Sequence, residues 1–479
     1  MKKHLLIASI FLLGTLVSQA QWQPDVRLTN NPALSLTNQY TNGRCTASSG
    51  DTVHIVWYDT RDGASPEIYY KRSIDGGITW GADTRVSNNL YFSSNPAVSV
   101  SGSVVHIIWD DNRDGNYEIY YNRSTNGGTT WGTDTRLTND SAASQTPCIS
   151  ASGSVVNAVW TDNRDGFHAE VYYKRSTDGG LSWGADTRLT NDPAGSWGAS
   201  VSASGLLVHV IWLDGRNAYQ NVFYKRSTDG GLNWGADTQL TNNDSTRLAN
   251  NPSVAVSGSN VHVIWMDSPR ETYAPEIYYK HSTDGGITWG AGTQLTTNYT
   301  SATLFSTISA SGSNVHVVWD DNRNSAANYE IYYKGSTDRG ISWGADTRLT
   351  NNSSVSAYPF VSASGSGVHV VWTDNRDGNY EIYYKHNPTG NPVGIRELPA
   401  SGLQFTVFPN PAGTEIKVRS LENINELTIT DIYGKEIYHT HVLNPTPEVR
   451  IPTSDLPAGI YFIKVKKGNR ISVQKFIKL

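Results

Sequence analysis

The stretch Ile149–Thr190, ISASGSVVNAVWTDNRDGFHAEVYYKRSTDGGLSWGADTRLT, decides how this chain folds. Four short runs of apolar and β-branched residues stand in it: Ile149 to Ala151, Val155 to Thr161, Glu170 to Arg175, and Asp186 to Thr190. Gly, Asn, Asp and Ser separate them, which is the pattern of strands joined by tight turns. The unit recurs. Trp57, Trp109, Trp160, Trp212, Trp265, Trp319 and Trp372 each close an apolar run, at spacings of 52, 51, 52, 53, 54 and 53. Four strands every fifty or so residues is the arithmetic of a β-propeller blade, so the expected fold is all-β with seven blades.

The two ends of the repeat say how the ring closes. Internal units finish on a strand of the W-G-x-D-T-[RQ]-L-T kind, with Gly292 in place of Asp in the fifth. The seventh stops at Tyr383 to His386 without one, whereas Trp22, Asp25, Arg27, Leu28 and Thr29 supply a match at the other end. An N-terminal strand is therefore expected to complete the last blade and leave no open edge.

Outside the repeat the chain changes character. Residues 1–20 join a basic start, an apolar run from Leu5 to Val17 and Ser18-Gln19-Ala20, the features of a secretory signal peptide. The propeller is expected over 21–387. Residues 388–404 are rich in Pro, Gly and Asn and read as a linker, and 405–479 form a separate domain. No later stretch has the length of apolar sequence that spans a membrane as a helix. A formal charge of −5 over 479 residues gives no reason to expect a nucleic-acid partner. Cys45 and Cys148, each twelve residues before a blade Trp, belong to the first and third units, too far apart for a disulfide, so two buried free thiols are expected.

Between the third and fourth strands lies S-x-D-x-G-x-x-W, as in Ser73 to Trp80, with versions ending at Trp131, Trp183, Trp234, Trp289 and Trp343. Its carboxylate is suited to accept local backbone N–H groups while Gly takes positive φ. Asn126 replaces the Asp in the second unit. This motif is the Asp-box, and residues 22–387 resemble the sialidase-like Asp-box propellers, a superfamily that also holds lectins and other non-catalytic members. Asn163-Arg164-Asp165-Gly166 before Glu170-Val171-Tyr172 also looks like the repeat of TolB-type propellers. In the last domain, Val407-Phe408-Pro409-Asn410-Pro411, Leu427 to Asp431, Leu456 to Phe462 and Lys475 to Lys478 closely resemble the C-terminal sorting domain of the type IX secretion system of Bacteroidetes. That resemblance implies a small β-sandwich, the type IX machinery as partner, and export through the periplasm to the medium or the outer cell surface.

The sialidase resemblance implies three arginines around a substrate carboxylate, a Tyr–Glu nucleophile and an acid/base Asp. This sequence instead repeats Arg61, Arg113, Arg164, Arg216, Arg270, Arg323 and Arg376 once per blade, and likewise Glu67, Glu118, Glu170, Glu276, Glu330 and Glu381. Residues present in every blade serve the blade, and each Arg is expected to pair with an Asp such as Asp114 or Asp165 and bridge neighbouring hairpins. Asp110-x-Asn112-x-Asp114 begins like a calcium loop but has Tyr121 where a bidentate Glu belongs, so it reads as a hairpin. The histidines three before the blade Trp, such as His54 and His106, read as packed and hydrogen-bonded. No cofactor and no metal site is expected.

What varies between blades is the connection into each first strand. It carries Tyr40, Arg44, Tyr91, Phe92, Trp197, Arg247, Tyr299 and Tyr358, and the hairpins of blades four and five deviate around Arg216 and Arg270. Aromatics with an apolar face and a polar tip suit sugar rings. The expected function is a non-catalytic binding propeller for glycans, with the loop of Trp197 outside the strand ladders. An exo-sialidase or related glycoside hydrolase, and an adhesive scaffold that contacts protein, stand as alternatives.

Overall fold

The structure is a computed structural model that describes residues 22–39, 43–216, 219–269, 271, 274–297, 302–325, 328–365, 367–390, 405–431, 435–467 and 470–478. The signal-peptide segment lies outside the described residues, as does the linker beyond residue 390. Contacts divide the chain into two units, Met1–Gly394 and Ile395–Leu479.

The first unit is a seven-bladed propeller. Blade three shows the plan: Ser144–Ser152, Val155–Asp162, Glu170–Ser176 and Thr187–Arg188 form one antiparallel sheet in that order. Its second strand is an almost unbroken apolar run because neighbouring blades cover both faces, and Val156, Ala158, Val159 and Trp160 are fully buried. The blade Trp is buried in every blade. Emptying such a site costs about 3–5 kcal/mol.

Closure follows the expected route. Val26 and Arg27 pair with Tyr384 and Tyr383 of Glu381–Asn387, so the last blade takes its outer strand from the N-terminus. Ion pairs reinforce the join, with Arg27 on Glu381 at 2.8 Å and Asp25 on Arg376 at 2.7 Å. Cys45 and Cys148 are buried free thiols.

The innermost strands differ from their expected extent. In blade three the strand begins at Ser144 rather than Ile149, because the ladder breaks at Thr146-Pro147 and resumes beyond it. Pro147 has no N–H to donate, and Thr146 takes φ 57° to turn the bulge. Blades two to seven each carry one such break.

In the second unit five strands form one nearly closed sheet. The long strand Glu415–Thr430 pairs along its length with Glu436–Pro452, while its two ends pair with Phe405–Phe408 and Gly459–Lys467. Arg470–Lys478 follows, and the Asn410 side chain reaches the Lys475 carbonyl to draw the sheet edges together. Phe405, Ile416, Val418, Leu427, Ile463 and Phe476 fill the interior.

Candidate functional site

The repeated polar residues are consumed within their own blades. Trp57 Nε1 donates to Asp59, and Arg61 spans Asp59 and Asp83 at 2.6 Å each, with its guanidinium 4.4 Å above the Tyr69 ring. Burial alone would raise the Asp59 carboxyl, but hydrogen bonds from Arg61, Trp57 and Ser35 outweigh it and hold it below its ordinary value. Arg113, Arg164, Arg216, Arg323 and Arg376 repeat this arrangement. The expected partner was wrong in detail. Asp114 and Asp165 accept the hydroxyls of Tyr120 and Tyr172 and face Arg136 and Arg188, while the blade Arg holds the Asp two residues before it. The link ties a hairpin to the fourth strand of the same blade, not to its neighbour.

Histidines brace the tyrosines of their own blades, and Asp-boxes knit adjacent blades. His54 Nδ1 meets Tyr70 Oη at 2.7 Å, and burial pushes the imidazole down to about 4. Asp75 accepts Ile78 N, Thr79 N and the hydroxyls of Ser73 and Thr79. The Trp of each box stands edge-on against the Tyr of the preceding blade, as Trp131 does on Tyr70.

Asymmetry gathers at one mouth of the central channel. The breaks in the innermost strands place Asn95, Thr146, Asn251, Phe305 and Tyr358 at φ between 41° and 57°, with Gly198 at 64° in blade four. Phe305 and Tyr358 are bulky residues in a conformation that favours glycine, and strain of this kind collects at functional sites. Their rings meet at 4.6 Å. With Asn38, Asn251, Ser306, Thr307, Pro359 and Phe360 they line a small crevice of about 10 Å³ drawn from blades one, five, six and seven. Beneath this level Arg44 of blade one reaches across the channel, and its Nη2 donates to the Val254 carbonyl of blade five at 2.5 Å. Burial lowers its proton affinity, and no carboxylate pairs with it among the described residues.

A second aperiodic ring surrounds the first. The residue after the blade Trp runs Tyr58, Asp110, Thr161, Leu213, Met266, Asp320, Thr373. Where polar, it receives an amide of the next blade's bulge: Thr146 N on Asp110 at 3.1 Å, Tyr358 N on Asp320 at 2.9 Å, Thr37 N on Thr373 at 2.9 Å. The two acids are unequally served. Asp110 also takes Ser94 and Asn95, whereas Leu304 and Phe305 stand at the corresponding places beside Asp320. Oδ1 of Asp320 has no partner among the described residues, and burial pushes the carboxyl up to about 7. Sequence reasoning weighed Asp110 only as the start of a calcium loop and missed Asp320, although variation at this otherwise regular position was visible.

The other candidates are scattered. Tyr40, Tyr299 and Arg270 lie outside the described residues. Tyr91 and Phe92 are exposed beside Leu90 at the blade-two connection. Arg216 is occupied by Asp214 and Asp237. Arg247 holds Asp267 at 2.7 Å and Tyr278 at 3.1 Å, as the blade Arg does elsewhere. Trp197 does not sit outside the ladders: it pairs with Leu213 and packs half-buried on the core between blades four and five. Of the seven candidates among the described residues, Tyr358 lines the channel mouth and Arg44 lies beneath it.

Residues 406–479 match the family described as the secretion system C-terminal sorting domain. The chain is thus exported by type IX secretion, to the cell surface or beyond it. No curated protein matches it in sequence. Among solved structures it is similar to polysaccharide lyase Uly1 (10% identity, TM-score 0.54, 77% of this chain and 99% of that one). An ulvan lyase of polysaccharide lyase family PL25 gives 11% identity and a TM-score of 0.52 over 74% and 93%. The Hadza microbial sialidase Hz136 gives 13% and 0.41 over 71% and 74%. The first unit shares its propeller fold with the two polysaccharide lyases.

Proposed function

We propose that the protein is an exported binding propeller that holds a glycan at the mouth of its channel and does not cleave it. The observation that carries this reading is the convergence of Asn38, Asn251, Phe305 and Tyr358 on one pocket above Arg44. Ring faces beside amide donors and acceptors suit a sugar ring laid across the mouth. Among the described residues, the repeated arginines and glutamates are committed to their blades and form no cluster for catalysis. The fold is also that of proteins named for polysaccharides. A glycan array probed with the full mature chain tests the reading. Tyr358→Asn keeps a residue that tolerates positive φ and removes the ring, so array binding should fall at least tenfold with the melting temperature held. Unchanged binding would remove the pocket from the proposal.

One observation favours the enzyme alternative. Asp320, buried with an oxygen to spare at this mouth, has the character of a general acid. Turnover of a fluorogenic sialoside, or of a polysaccharide followed by reducing ends, that disappears in Asp320→Asn would replace binding with catalysis.

A further inference from the structure

We propose that Glu426, His439 and His441 form a transition-metal site of the zinc class on the outer face of the sorting domain. The strand register builds it. Glu426 stands directly opposite His441 and Thr428 opposite His439, so the three side chains share a face while Leu427 between them points into the core. One ligand atom from each lies within 4.8 Å of the others, and His439 Nε2 is 3.3 Å from Glu426 Oε1. The imidazole rings meet edge to face at 4.9 Å, with both residues exposed.

Two imidazoles and a carboxylate are a ligand set for Zn²⁺, and they leave a fourth position for water or a partner's side chain. The surroundings fit that use. Lys466 lies 3.2 Å from Glu426 Oε2, the oxygen turned away from His439, so the carboxylate can bind metal through Oε1 while Lys466 holds the other oxygen in place. The ladder is also irregular on both sides, between Ile424 and Glu426 and between Ile429 and Thr430. A bound ion would clamp the short regular piece between those breaks.

The test uses the full mature chain, purified without a histidine tag and stripped with chelator. Titrated with Co²⁺, it should bind one equivalent, show ligand-field bands of a four-coordinate site, and release the ion to Zn²⁺. In His439→Gln/His441→Gln the affinity should fall at least tenfold. If that variant does not fold, Glu426→Gln, which keeps both strands, should still weaken binding by about that factor. Absence of a bound equivalent in the wild type, or equal binding by the variants, overturns the site.

Discussion

Trp80 stands edge-on against Tyr384 with ring centroids 4.7 Å apart, although the two residues belong to the first and last blades. The contact is the one that joins every neighbouring pair, so the seam of the ring is locked as its other joints are. Gly77 shares in it. A Cβ on Gly77 would fall 1.8 Å from Tyr384 Oη, at φ +88°. Because the hydroxyl is held by His369 at 2.7 Å, it has little room to retreat.

Gly77→Ala should therefore lower stability by about 2–4 kcal/mol, combining a steric clash with a strained φ. Gly50→Ala, at φ +57° with open space around it, should cost about 1 kcal/mol. Thermal melts of the two variants give the comparison, and equal shifts would deny the seam its role.

Deleting residues 22–30 removes the strand that pairs with Glu381–Asn387, and with it the ion pairs of Asp25 and Arg27. The edge of blade seven is then open and Lys385 loses its carboxylate. The melting temperature should drop well below that of the intact chain. A deletion variant that melts where the wild type does would mean that the aromatic seam alone closes the ring.

The fold was legible because each blade repeats the same physical problem, a strand buried on both faces behind a Trp, and because the unmatched strands at the two ends answer each other. The site was less legible. Aromatics were expected to mark it, but Trp197 lies on a ladder and Arg247 substitutes within its blade. The mouth is shaped instead by backbone breaks at residues as different as Asn95, Thr146 and Phe305. A left-handed turn next to a proline leaves no single residue type to recognise.

The histidine ring predicts an acid-sensitive fold. Burial holds His54, His106, His209, His262 and His316 at about 4 and His369 at about 3, against an ordinary 6.5. The unfolded chain binds these protons first, so the stability they represent is present above pH 6.5 and is lost as pH falls towards 4. Urea midpoints at pH 7 and pH 5 should differ by several kcal/mol in total, on the order of 1–2 per histidine. Blade three has Asn157 instead, which accepts the Tyr173 hydroxyl at 2.7 Å and does not titrate. His54→Asn should make blade one behave likewise and flatten the pH profile by one histidine's share.

Trp197→Ala should affect stability first. Its ring packs on the cluster around Leu213 and Val222, half-buried, so truncation should cost about 1–3 kcal/mol, below the figure for Trp212. Glycan binding by the folded variant should stay near the wild-type level, because the residue does not line the pocket. Loss of binding without loss of stability would return the site to the blade-four connection.

Asp320 offers the sharpest test of the channel mouth. Its carboxyl is pushed from 3.8 up to about 7, first by burial and then by Asp321 beside it, against the amide of Tyr358. The folded chain thus holds a proton that the unfolded chain releases, and the stability so contributed is present below pH 3.8 and lost as pH rises through 7. Asp320→Asn keeps an amide oxygen for Tyr358 and has no charge to bury. It should match the wild type near pH 4 and exceed it at pH 8 by on the order of 3 kcal/mol, read from urea midpoints. Leu304→Ser with Phe305→Asn supplies the donors that Asp110 already has in blade two. If donor supply is what separates the two acids, the double variant should ionise Asp320 at lower pH and recover part of the stability at pH 8 with the carboxylate still present. A pH profile left unchanged by both variants would mean that Asp320 is already solvated, and the mouth would lose its candidate acid.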